Sequence, residues 1–185
     1  MTRVLGLKTE VDAVLGAVAP LGLAAAAGVT SLVIDLDPNG PSYPGERSLA
    51  EVVAEGPRRV ELTPTAGSVA VLRNGGVDWN AAAETVERLA ATWPAIVLRV
   101  PSGNANLPWP VIPVVPLLPG VLATGRSRPA VWQKTDRGQR PPGPGPALPP
   151  LRRGTLVSLL ELRYLPARRW VHSWQAVWEL PWPQS

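Results

Sequence analysis

The chain of 185 residues has no cysteine, no phenylalanine and a single histidine. Without thiols there can be no disulfide, no thiolate nucleophile and no Cys-ligated zinc. One imidazole, His172, is too few for a histidine-rich metal site, and no conventional Ser-His-Asp arrangement is expected on it. Its place among C-terminal helix-forming residues fits a solvated or hydrogen-bonded structural histidine. Lysine is scarce as well: Lys8 and Lys134 stand against sixteen arginines. A GC-rich genome produces the same excess of alanine, proline and arginine, so the arginine count alone says little about partners. Acids are scarce in the second part of the chain. Residues 101–185 hold ten basic and three acidic side chains, net +7, whereas residues 1–100 are net −3. Such asymmetry hints at a tail that meets an anionic partner.

A long uncharged run, the 22 residues 13–34, is enough to span a bilayer. It is rich in Ala and Gly, is interrupted by Pro20, and follows Glu10 and Asp12 where a signal peptide would be basic. The expectation is a cytoplasmic protein, with export or a membrane span as the alternative.

What is present reads as strands alternating with helices. Residues 3–7 suit a short strand. Residues 10–27 have helix-forming composition interrupted at Pro20, with Gly28 placed to end the helix. Residues 30–36 form a continuous β-branched and aliphatic run, the mark of a strand buried on both faces. Ser48 and Glu51 are spaced as a capping box for a short helix that Gly56-Pro57 stops. Residues 59–62 and 68–72 suit strands, and Asn74-Gly75-Gly76 a turn. Asp78 is placed to cap a helix whose apolar stripe is Trp79, Ala82, Val86, Leu89 and Trp93. Residues 95–100 and 111–115 are further strand candidates. This alternation predicts an α/β fold, a compact, mostly parallel sheet flanked by helices. Residues 101–150 contain 13 of the 23 prolines, and "RPPGPGPALPP" (140–150) predicts an extended connector. Helical composition returns over 154–163 and 167–180.

In order and content these segments resemble the ParA/MinD family, the deviant-Walker ATPases of DNA partitioning, division-site placement and pilus positioning. "LVIDLDPNG" (32–40) resembles the family's strand ending Asp-x-Asp-Pro-Gln-Gly, with Asn39 in place of Gln. "SLAEVV" (48–53) resembles the short helix that follows, and "VELTPTAGSVAVL" (60–72) the next pair of strands. "TWPAIVLRVPSG" (92–103) and "WPVIPVVPLLPG" (109–120) resemble two later strands. The likeness covers roughly residues 28–120, and it implies a P-loop NTPase-like sheet.

Two features that the resemblance requires are missing. The family grips phosphates with a glycine-rich loop ending Gly-Lys-[Ser/Thr], and no such tripeptide occurs anywhere in the chain. By spacing that loop should end near Asp12-Ala13-Val14-Leu15, which carries no glycine, lysine or hydroxyl. The strand resembling 95–100 ends in the family with an Asp that helps hold Mg²⁺, and here Arg99 falls at that position. At 4 Å each unit-charge interaction is about 4 kcal/mol for an effective dielectric near 20, so this exchange turns attraction into repulsion. The resemblance therefore implies a degenerate nucleotide pocket of Asp35, Asp37 and Arg99, a pseudo-ATPase with no cofactor. Asp35 and Asp37 are expected either to cap the strand-to-loop turn or to pair with Arg99, with residual ligand binding as the alternative.

Trp170, Trp174, Trp178 and Trp182 recur every four residues, so the first three should share one helix face. Three readings stay open for this stripe. It packs on its own domain; or it docks, with Arg169, into a partner's groove; or it lies on a membrane surface. The expected organisation is a ParA/MinD-like domain over 1–120, a Pro/Arg-rich connector over 121–150 and a Trp-rich helical segment over 151–185. The expected function is a catalytically inactive, partner-binding scaffold or regulator, with an intact ParA-like ATPase as one candidate partner. The alternatives are a weak ATPase working with an intact paralogue and a membrane-surface adaptor. Nonspecific nucleic-acid binding through the arginines is a further, weaker expectation, because no recognised reading module accompanies them.

Overall fold

The computed structural model describes residues 3–9, 11–45, 47–58, 69–102, 106–118, 128–163 and 168–183. The strands are β1 (Arg3–Lys8), β2 (Ser31–Asp35), β3 (Val69–Leu72), β4 (Ala95–Val100), β5 (Val111–Leu117), β6 (Val131–Lys134) and β7 (Ala147–Leu148). Between and after them come α1 (Ala13–Ala25), α2 (Leu49–Glu55), α3 (Trp79–Ala90), α4 (Arg153–Leu160), α5 (Arg169–His172) and α6 (Gln175–Glu179). All seven strands pair in parallel, in the order β3-β2-β4-β1-β5-β6-β7. The fold is thus α/β.

The uninterrupted apolar runs of β2 and β4 are buried at every position, as strands covered on both faces must be. Their side chains alternate between two cores. Leu32, Ile34, Ile96 and Leu98 pack under α2 and α3, against Leu49, Val52, Val86 and Leu89. Val33 and Val97 point the other way, into a core shared with Leu15, Val18 and Leu21 of α1 and with Trp170 and Trp174.

The long uncharged run resolves into three pieces: α1, a turn containing Gly28 at φ 71°, and β2. Residues 17–24 of α1 are buried in succession, which fits a helix that is apolar on every side and is covered on both. The sheet covers one side, and the C-terminal helices lie against the other. Among the described residues no helix is long and apolar enough to cross a membrane.

Local signals set several boundaries. The Ser48 hydroxyl accepts from Glu51 N while the Glu51 carboxylate accepts from Ser48 N, completing the capping box. Asp78 Oδ1 accepts from Ala81 N at 3.0 Å and starts α3. Two stretches differ from the sequence expectation. The proline-dense region contributes β6 and the two-residue edge strand β7 to the sheet. The helix expected over 167–180 is two short helices, α5 and α6, separated at Ser173–Trp174. The strand expected over 59–62 lies outside the described residues.

Candidate functional site

In parallel register Asp35 lies directly opposite Arg99. Each is two residues beyond a valine of the α1-side core, Val33 and Val97, so both side chains emerge on that face near the start of α1. Here the carboxyl ends of β1, β2 and β4 lie side by side, and such strand ends are where open α/β sheets usually hold ligands.

Arg99 is held from several directions. Its Nη1 donates to Asp35 Oδ2 at 3.2 Å and to the Pro41 carbonyl at 2.6 Å, and its Nη2 donates to Asp37 Oδ2 at 3.3 Å. Its guanidinium lies 5.4 Å from the Tyr43 ring centroid, and the Tyr43 hydroxyl donates to the Ala17 carbonyl of α1 at 2.6 Å. The Arg99 and Asp35 side chains are only 4% and 2% exposed. The loop after β2 folds onto its own carboxylates: Asp37 N donates to Asp35 Oδ1, and Asn39 N to Asp37 Oδ1. Gly40 is required by close approach, because a Cβ there would overlap both the Arg99 guanidinium and the Asp37 carboxylate.

Burial pushes the Asp35 carboxyl up, to about 6. The Arg99 charge and the amide of Asp37 pull it down without cancelling that effect. The pair is therefore held by geometry against a desolvation cost, the usual balance for buried ions.

Beside this cluster lies a cleft of about 470 Å³, lined by Thr9, Asp12, Gly16, Asp37, Arg99 and Ser102 among others. The β1–α1 connector that forms its wall is only residues 9–12. A phosphate loop would turn its backbone amides and a helix N-terminus toward an anion. Here Asp12 takes that place as N-cap, its Oδ1 accepting from Leu15 N at 2.9 Å. Among the described residues, Asp12 and Asp37 are the acids of this lining, and its one cation, Arg99, is already paired with carboxylates. The described lining thus offers a phosphate no unpaired cation. Among the described residues no three Asp, Glu or His side chains gather as a metal site.

Asp35, Asp37 and Arg99 are thus brought together, while the tryptophans lie elsewhere. Trp170 and Trp174 are buried and meet edge to face, ring centroids 5.5 Å apart. They rest on Gly22 of α1, where a Cβ would fall 2.8 Å from Trp174 Nε1 and closer still to Trp170. Trp178 is half-buried; its Nε1 donates to the Leu23 carbonyl at 2.9 Å and the Arg3 guanidinium lies over its ring. Arg169 is exposed. Sequence reasoning missed Pro41 and Tyr43 as partners of Arg99. It also missed Asn74, whose Nδ2 donates to the Asp35 carbonyl at 3.1 Å and ties the turn after β3 to the site. The Asn74-Gly75-Gly76 turn was its only visible signal.

Compared with known protein families and with curated proteins, the chain matches no family model and no curated sequence.

Proposed function

We propose that the chain is a ParA/MinD-like pseudo-ATPase, a scaffold or regulator that works by binding a protein partner. The observation that carries this reading is the occupation of the would-be nucleotide site by the chain's own charges. Arg99 is locked between Asp35 and Asp37, and Asp12 fills the N-terminus of α1. An anion entering the cleft would have to displace a carboxylate from helix amides and compete with two more for the guanidinium. An intact ParA-like ATPase is the first partner to try. Trp170 and Trp174 serve such binding indirectly, by fixing the C-terminal segment on α1, while Arg169 and the open rim of Trp178 are available for contact.

The test is a thermal-shift and calorimetric titration of the full chain with ATP and Mg²⁺. A site occupied at a hundredfold excess over its Kd stabilises by about 2.7 kcal/mol, several degrees in a domain of this size. The expected result is no stabilisation that depends on Asp35. A shift abolished by Asp35→Asn would overturn the reading and return Asp35 and Asp37 to a working pocket.

A further inference from the structure

A second cleft, of about 540 Å³, opens at the carboxyl ends of β6 and β7, and its charge is opposite to that of the first. Lys134 is the last residue of β6, and Arg137 follows in the next turn. Arg152 immediately precedes α4, and Arg168, Arg169 and His172 come from α5 and the residue before it. Among the described residues no carboxylate lines the cleft, and none of these five permanent cations is ion-paired. The nearest acids in sequence are otherwise placed. Asp136 is exposed and accepts from Gly138 N, and Glu161 pairs with Arg163.

The walls are fixed to one another. The buried Gln133 side chain accepts from Trp170 Nε1 at 2.7 Å and donates to the carbonyls of Lys134 and Pro149. One amide thereby ties the end of β6, the exit from β7 and the start of α5. No side chain caps α4, so its positive end adds to the field at the Arg152–Thr155 wall. Five like charges around one rigid concavity repel one another, and a bound anion relieves that repulsion. Arginine forks suit phosphate oxygens in particular.

We propose that this cleft binds a small polyphosphate, a molecule carrying two or more phosphate groups, through Lys134, Arg137, Arg152, Arg168 and Arg169. The cations converge on one concavity bounded by Pro149–Pro150 and α5, whereas a nucleic-acid strand needs them spread along a track. The proposal does not rest on the pseudo-ATPase reading.

The test is calorimetric titration of the full chain with inorganic tripolyphosphate at low salt. One site per chain is expected, with affinity falling as salt rises. Arg152→Glu with Arg169→Glu should weaken it at least tenfold, while Arg88→Glu on α3 leaves it unchanged. Both altered cleft residues are solvent-facing, and a thermal melt checks that the variant folds. The absence of heat, or equal weakening by Arg88→Glu, would overturn the proposal. So would a single-stranded oligonucleotide that binds more tightly than tripolyphosphate and is weakened by all three substitutions, which would mark an extended nucleic-acid surface. ATP serves as the separating probe: binding lost in the Arg152/Arg169 variant but kept in Asp35→Asn belongs to this cleft and leaves the first cleft closed.

Discussion

Arg99 and Asp35 are each costly to bury alone and tolerable together, so removing one member should hurt more than removing both. Arg99→Met leaves a carboxylate in the core, and the expected loss is about 3–5 kcal/mol in urea unfolding. Asp35→Asn combined with Arg99→Met should recover much of that loss. The pH dependence has a definite sign. The folded pKa of Asp35, about 6, lies above its ordinary value of 3.8, so the native state holds this proton more tightly. Its contribution to stability is complete below about pH 4 and lost as pH rises through 6. Measured as wild type minus Asp35→Asn, the decline between pH 4 and pH 7 should be on the order of 3 kcal/mol. The pair was legible in the sequence because the resemblance to ParA/MinD strands set Asp35 and Arg99 at two strand ends expected to share one pocket. Pro41, Tyr43 and Asn74 were not legible as its partners, since loop geometry alone brings them to Arg99.

At the scale of elements, α1 depends on what lies at its ends and on its outer face. Asp12→Ala removes the N-cap and should cost about 1 kcal/mol. Gly22→Ala places a methyl against two indoles and should lose about 1–3 kcal/mol by overpacking. Trp174→Ala should lose about 3–5 kcal/mol. Trp174→Phe should lose less, because it also removes a buried N–H that has no acceptor. Chemical denaturation followed by tryptophan fluorescence measures all four. The fourfold spacing of tryptophans revealed the stripe but not the break in its helix, where the Ser173 hydroxyl donates to the Trp170 carbonyl at 2.7 Å. Capping was read correctly at Ser48, Glu51 and Asp78 because those bonds form within three residues. β6 and β7 went unread because prolines flanking them erase the usual pattern, although Trp132 Nε1 donates to the Pro144 carbonyl and holds the intervening turn.

For the whole molecule, the alternation of buried runs and helices sufficed to anticipate a parallel sheet. Strand order was beyond it, because pairing β1 with β4 depends on contacts some ninety residues apart rather than on local pattern. The same distance problem hides how the C-terminal segment is used: the indoles of α5 and the α5–α6 turn complete the core that begins at Leu5 and Leu7 of β1. A chain ended after Pro150 should therefore expose the outer face of α1. It should bind a hydrophobic dye and lose its cooperative unfolding transition, whereas a C-terminal segment docked only on a partner would leave the melt intact.

The bond from Trp178 to Leu23 joins residues 155 positions apart, and that separation is also a delay. At roughly 5–20 residues per second of synthesis, the helix at the start of the chain waits on the order of 8–30 s on the ribosome before its cover is made. During that interval an apolar surface of Ala, Val and Leu faces water or a chaperone. Slowing translation ahead of residue 168 should lengthen the exposure and lower the yield of folded protein, with no change in its final stability.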